Sequence, residues 1–264
     1  MRKRRINQAD CWQIAAFATF MALLAWTVVL GAQSMPYRWQ WARITPYIYK
    51  SFNDTLYAGP LLKGLGVTLR ISALASLVML AAGFATALLL LSNSIAGRLV
   101  ARAYVEAIRN TPLLVQIYLV YFVLAPILGL GRDAAGVLAL GLFEGAFAAE
   151  IIRAGIQAVP ASQREAALSL GLHPFQVQRL VILPQAARIT LPPLTSLAIS
   201  LVKHSAIVSA IAIFDLTSEG RNAIADTFMT FEIWLTVAAI YLVVTTTLSF
   251  LASRLELRLD IPAK

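Results

Sequence analysis

Cysteine occurs once in this chain of 264 residues, at Cys11, so no internal disulfide can form. Histidine occurs twice, at His173 and His204, too far apart to give metal-ligand spacing with each other or with that thiol. Charged side chains make up only 13% of the sequence, against 59% hydrophobic residues and a mean hydropathy of +0.74. Such a balance leaves no room for a large aqueous domain. Also missing are a G-x-x-x-x-G-K-[ST] phosphate loop, an H-E-x-x-H pair, a nucleophile elbow and a glycine-rich dinucleotide loop. The chain therefore carries no nucleotide-hydrolysing motif of its own and no nucleophile–base constellation for an enzyme embedded in a membrane. Its net charge of +9 belongs to an apolar chain, where basic residues set membrane orientation rather than bind nucleic acid.

What the sequence has in abundance is long apolar runs. Six are long enough to cross a hydrocarbon core, at about 14–32, 66–91, 113–131, 135–158, 191–213 and 233–252. This predicts an all-α polytopic membrane protein of about six transmembrane helices. Arg2, Lys3, Arg4 and Arg5 place the N-terminus in the cytoplasm. Alternating sides from there puts both termini, and most of the 22 basic residues, on the cytoplasmic face. The first run imitates a signal peptide, but its apolar stretch is longer than a signal h-region and predicts an uncleaved anchor. Segment 33–65 carries Trp39, Trp41, Tyr47, Tyr49 and Tyr57, which suits an interfacial stretch or a loop with a partly ordered surface helix. The domain reading is an N-terminal extra helix with an extracytoplasmic segment over 1–60 and a membrane domain over 61–258.

Ionisable residues within spans are costly to bury and face a cavity or a partner. Glu144, Glu150, Lys203 and His204 are the candidates for a solute pathway. Glu150 and Arg153 are three apart on one helical face, so an ion pair is the plainer reading of Glu150. Glu144 lies six residues from Glu150, on nearly the opposite face. Lys203 sits near mid-span, where its stem can snorkel or meet a carboxylate. His204 is more often a hydrogen-bonded packing residue than a ligand. Gly141-x-x-x-Gly145-x-x-x-Ala149 stacks small residues along one stripe and predicts a close helix contact.

Between the fourth and fifth runs stands "SQREAALSLGLHPFQVQRLVILP", residues 162–184. Ser162 and Glu165 fit an S-x-x-E capping box, Gly171 fits a left-handed helix end, and Pro174 fits the first turn of a second helix that Pro184 closes. The expectation is helix, tight turn, helix at about 160–185, offering a small apolar face either to a protein partner or to lipid.

Glu165, Ala166, Ala167, Gly171, Val181, Leu183 and Pro184 resemble the EAA motif of ABC importer permeases. The resemblance extends over about 60–258. It includes "GLGVTLRIS" (64–72), "EAIRNTPLLVQIYLVYF" (106–122), "GAFAAEIIRAGIQAVPASQREAA" (145–167) and "LVKHSAIVSAIAIFDL" (201–216), which look like the branch taking up histidine, glutamate, glutamine, arginine or opine-type solutes. Two sites depart from the pattern: Arg109-Asn110-Thr111-Pro112 replaces the usual R-G-T-P, and Lys203-His204-Ser205 the usual K-[DN]-[ST]. The resemblance implies a type I importer permease fold in a bacterial cytoplasmic membrane. It implies that a cytoplasmic ABC ATPase dimer, holding ATP and Mg, docks on a coupling helix that includes Ser162, Glu165, Ala166, Ala167 and Gly171. It further implies a second permease, identical or homologous, and an extracytoplasmic solute-binding protein. Asp215, Glu219, Asp226 and Glu232 in the 214–232 loop are an acidic surface for that protein, or simply solvated charge. An ion-coupled carrier or channel, with Glu144 and Lys203 as coupling residues, is the alternative.

Overall fold

The computed structural model describes residues 8–34, 37–52 and 55–258. Arg2 to Arg5 and Lys264, on which the orientation partly rests, lie outside them. The chain divides into two compact units, one up to Gln40 and one from Trp41 onward. In the first unit, α1 (Gln8–Ser34) contains a candidate span of 23 residues, and Trp12, Phe17, Phe20 and Trp26 are all exposed on it. A helix apolar on all sides is one that a bilayer, rather than water, can solvate.

The second unit opens with a short helix α2 (Thr45–Ile48) and an antiparallel hairpin, β1 (Tyr49–Phe52) and β2 (Thr55–Ala58), in which Lys50 pairs with Tyr57. The hairpin is the one departure from an all-helical fold among the described residues. Tyr47 and Ile48 pack with Leu61 at the head of the next helix, which ties this segment to the second unit.

Four long helices follow: α3 (Pro60–Leu91), α7 (Arg132–Gln157), α10 (Leu183–His204) and α12 (Thr230–Arg258). Between α3 and α7 come α4 (Ile95–Arg109), α5 (Leu113–Tyr118), a π-helical turn over Leu119–Leu124 and α6 (Ala125–Leu128). The third expected span is thus the second arm of a broken one: α4 and the helix from Leu113 to Leu128 meet at 112°. Asn110-Thr111-Pro112 makes that break, because the residue before a proline is driven out of the helical region. With α1 and this bent pair, the helices long and apolar enough to cross a membrane number up to six.

Close packing concentrates on α3 and α7. The small-residue stripe of α7 explains it: a Cβ on Gly141 would run into Val78, and one on Gly145 would sit 2.9 Å from Ala82 Cβ. In lipid, where burying apolar surface gives little drive, such backbone proximity supplies dispersion contacts that hold helices together. Accordingly 61% of the apolar window of α7 is buried, against 6% for α12, so α7 is central and α12 peripheral. The main core joins Ile71 and Met79 of α3, Ile117 of α5, Leu140 of α7 and Leu201 of α10.

Two expected boundaries are corrected. Helical structure runs from Pro174 to Ile211, well before the expected start at 191. Pro184 does not close the second helix; it lies in the first turn of α10, immediately after a π-helical turn over Val177–Ile182. Wider i→i−5 bonding, such as Leu183 N–H to Gln178 O, carries the helix through. The 214–232 segment is not an open acidic loop. It folds as α11 (Leu216–Thr227), and both Asp215 and Glu232 are fully buried.

Candidate functional site

Two groups of residues carry chemistry. The first is the turn between α7 and α10. Helix α8 (Ala161–Ser169) is preceded by Pro160, whose fixed φ sets the helix to begin at Ala161. Ser162 then falls inside the first turn, and the expected Ser162–Glu165 capping box does not form. At the other end the expectation holds in detail. Gly171 takes φ +80°, its N–H reaches Leu168 O at 2.9 Å, and Leu172 N–H reaches Ala167 O at 3.3 Å. This paired 5→2 and 6→1 bonding satisfies the last carbonyls of α8.

The next helix, α9 (Pro174–Gln176), carries a capping box that sequence reading missed. The His173 ring nitrogen Nδ1 accepts from Phe175 N–H at 3.4 Å, and Gln176 Oε1 accepts from His173 N–H at 2.9 Å. Glutamine three residues after the cap was the available signal. Histidine at the cap position concealed it, since serine, threonine, aspartate and asparagine dominate there.

Of the expected docking residues, Ser162, Glu165, Ala166 and Gly171 are exposed, and Ala167 is buried with Val159, Val177, Ile182 and Ala186. That small core clamps α8 onto the root of α10. Leu170 and Phe175 stand 83% and 68% exposed beside it, so the knob presents apolar side chains outward.

The second group lies deep in the bundle. Glu144, 1% exposed, sits on α7, and its Oε1 is 2.5 Å from His204 Nδ1 at the end of α10. Phe143 packs edge-on to His204 at 6.3 Å and against Phe147 at 5.3 Å, and the Arg109 guanidinium lies 5.5 Å above the Phe147 ring. Glu144, His204, Phe143, Phe147 and Arg109 therefore form a continuous chain of contacts across three helices. Lys203 is exposed, and its neighbour His204, not Lys203, meets Glu144. Glu150 is bound as expected by Arg153, at 2.7 and 3.1 Å, and Arg153 is braced by Gln157 at 2.7 Å. Both partners are about one-third exposed, so the pair has a local structural role.

The helix break beside Arg109 is stitched by Gln116, a residue sequence reading passed over. Its buried amide nitrogen reaches Ile108 O at 2.8 Å and Thr111 Oγ1 at 2.6 Å. Irregular backbone at membrane depth needs such internal partners, because lipid supplies none. On α10 the sequence Lys203-His204-Ser205 marks the change from α-helix to a 3₁₀ turn over Ser205–Ile211. Beyond it, Asp215 caps α11 by accepting from the N–H groups of Ser218 at 2.9 Å and Thr217 at 3.2 Å. Burial pushes its carboxyl above the usual range while those bonds pull it down. Burial and the Asp215 charge likewise raise Glu219, against the pull of Lys63.

Known proteins resemble this chain in sequence, and solved structures resemble it in fold. A probable glutamine ABC transporter permease of Bacillus subtilis is 44% identical over 160 residues, 60% of this chain and 74% of its own. The glutamine transport system permease of Escherichia coli K12 is 39% identical over 165 residues, 61% and 75% of the two chains. Among solved structures, an amino acid ABC transporter crystallised with histidines is 42% identical, with a TM-score of 0.70 over 75% of this chain and 94% of its own. The inward-facing MetNI methionine transporter, 21% identical, shares the fold at a TM-score of 0.66 over 76% and 96%. The family described as binding-protein-dependent transport system inner membrane components matches residues 79–261, more than half of the sequence, and the chain belongs to that family.

Proposed function

We propose that this chain is the membrane-spanning permease of an ATP-driven importer of polar amino acids. The observation that carries the reading is the α8 knob, sealed by the Gly171 turn and rooted on α10 through Ala167. Its likeness to glutamine permeases supports the solute class, and nothing in those likenesses favours an ion-coupled carrier. A cytoplasmic ATPase dimer, holding ATP and Mg, docks on the knob around Ser162, Glu165, Ala166, Ala167 and Gly171. A second permease, identical or homologous, completes the pathway, and a solute-binding protein delivers at the opposite end, near α11. Both termini face the cytoplasm of a bacterium, whose inner membrane holds the complex.

ATP binding and hydrolysis then bias two access states of the paired permeases. Movement of the knob passes along α10, which is helical without interruption from the π turn to His204. At His204 that helix meets Glu144 of α7, so displacement of α10 acts on the deep residues directly. Co-purification from membranes tests the scheme: the complex contains an ATPase, and Glu165→Lys or Gly171→Asp weakens its association without reducing membrane insertion. Unchanged ATPase recovery with both variants refutes the docking assignment. Absence of ATP-dependent L-glutamine uptake by proteoliposomes holding the whole complex and its binding protein argues against the solute class.

A further inference from the structure

Arg109 ends α4 at a depth where a guanidinium needs a reason to be. Its ring partner Phe147 stands 15 residues from Arg132 and 10 from Gln157 along α7. At 1.5 Å per residue that is about 22 Å from one end of the helix and about 15 Å from the other. An arginine side chain reaches roughly 7 Å, less than the distance from Phe147 to either end of α7. A cation held at that depth requires an anion or a water-lined cavity.

The neighbouring acids are all engaged elsewhere. Glu106, one turn back on α4, accepts from Asn110 Nδ2 at 3.0 Å. Glu144 is taken by His204 and Glu150 by Arg153. Among the described residues no carboxylate lies within ion-pair distance of Arg109, whose described partner is the face of Phe147. A ring covers one face of the guanidinium and leaves its edge of N–H donors open. That edge is the fork that binds a carboxylate through two parallel hydrogen bonds. The residue is exposed in this chain and belongs to the same line of contacts as Glu144 and His204.

We propose that Arg109, set on Phe147, binds the α-carboxylate of the amino acid as it crosses the membrane. The inference rests on the amino-acid reading above. The acid at the far end of the line is already occupied by His204, so the open charge presented to a solute is positive. Solutes lacking a carboxylate bind poorly there.

The test is equilibrium binding of radiolabelled L-glutamine to the assembled permease–ATPase complex in nanodiscs, without binding protein, with unlabelled L-glutamine and L-glutamine α-amide as competitors. A charge-assisted pair is worth about ten- to a hundredfold in affinity. For the wild type, the amide competes at least about tenfold more weakly than glutamine. In Arg109→Gln glutamine weakens by about that factor and the two competitors become equal within about twofold, whereas Arg109→Lys keeps a preference for the carboxylate. Persistence of the full preference in Arg109→Gln overturns the proposal. If Arg109→Gln binds nothing, Arg109→Lys decides: retained preference supports a carboxylate contact, and lost binding in an assembled complex marks a structural role and overturns it. A wild-type complex that binds neither ligand overturns the amino-acid reading and this inference with it; a wild type that binds both equally overturns the inference alone.

Discussion

Glu144 on α7 and His204 on α10 are joined by a contact of 2.5 Å, with the carboxylate 1% exposed and the histidine side chain 43% exposed. The acid is buried, and the imidazole it meets is partly open. Removing the imidazole leaves a buried acid without its partner, which costs about 1–3 kcal/mol. His204→Ala lowers the thermal stability of the detergent-purified chain by that amount, read as a shift in the midpoint of monodisperse recovery. In Glu144→Gln the side-chain amide still bonds to the ring, and the loss is smaller than in Glu144→Ala. Equal midpoints for His204→Ala and wild type would show that the contact contributes nothing.

The α3–α7 interface predicts opposite signs for two similar substitutions. Gly141→Ala forces a methyl into Val78 and to 3.0 Å from the Ala75 carbonyl. Overpacking of this kind costs about 1–3 kcal/mol. Gly66, also helical, has nothing within 4 Å of its added Cβ, so Gly66→Ala is neutral or stabilising by up to about 1 kcal/mol. Thermal midpoints of the two variants fall on opposite sides of wild type, or Gly141→Ala alone falls. A drop for Gly66→Ala as large as for Gly141→Ala would refute close approach as the cause.

Periodicity and spacing made much of this architecture legible, because long apolar runs, a glycine at a helix end and an i,i+3 ion pair are local features. The Gly171 turn, the Glu150–Arg153 pair and the Gly141–Gly145 stripe each follow from residues close in sequence. What escaped depends on partners far along the chain. Gln116 matters because α4 breaks beside it, and Arg109 because a ring 38 residues later lies under it. Asp215 and Glu232 read as solvated charge because nothing local shows that α11 folds back over α3 and α12. Pro184 read as a breaker, and π bonding before it together with a continuous α10, which also passes through Pro192 and Pro193, overrode that reading.

Capping predicts a graded effect at the α8 knob. Gly171→Ala meets no steric neighbour, yet a left-handed φ of +80° costs an L-residue about 1–2 kcal/mol. His173→Ala removes the α9 cap, at about 1 kcal/mol. Both loosen the knob while changing only a small part of its exposed face. ATPase affinity measured with the purified partner falls modestly in each and further in the double variant, whereas membrane insertion is unchanged. A double variant that binds the ATPase as tightly as wild type would separate knob rigidity from docking.

Acid titration probes the end of the bundle where α11 packs. Asp215 and Glu219 both have carboxyl groups raised above their ordinary values of 3.8 and 4.5, chiefly by burial, and Glu219 also by the Asp215 charge. A carboxyl that holds its proton more tightly when folded makes the native state bind more protons than the unfolded one. Stability then falls as pH rises from those ordinary values through the raised ones, and recovers on acidification through the same window. Asp215, Lys63 and Tyr241 are the other titratable groups of this cluster, and Asp215 is the one whose repulsion Glu219 adds to. Glu219→Gln removes both its own titration and that repulsion while giving up the Lys63 attraction. Melts between pH 4 and 7 are consequently flatter for Glu219→Gln than for wild type, with the two converging at the acid end. A wild-type chain that gains stability as pH rises through this window would show that the Lys63 attraction and the α11 cap bonds outweigh burial.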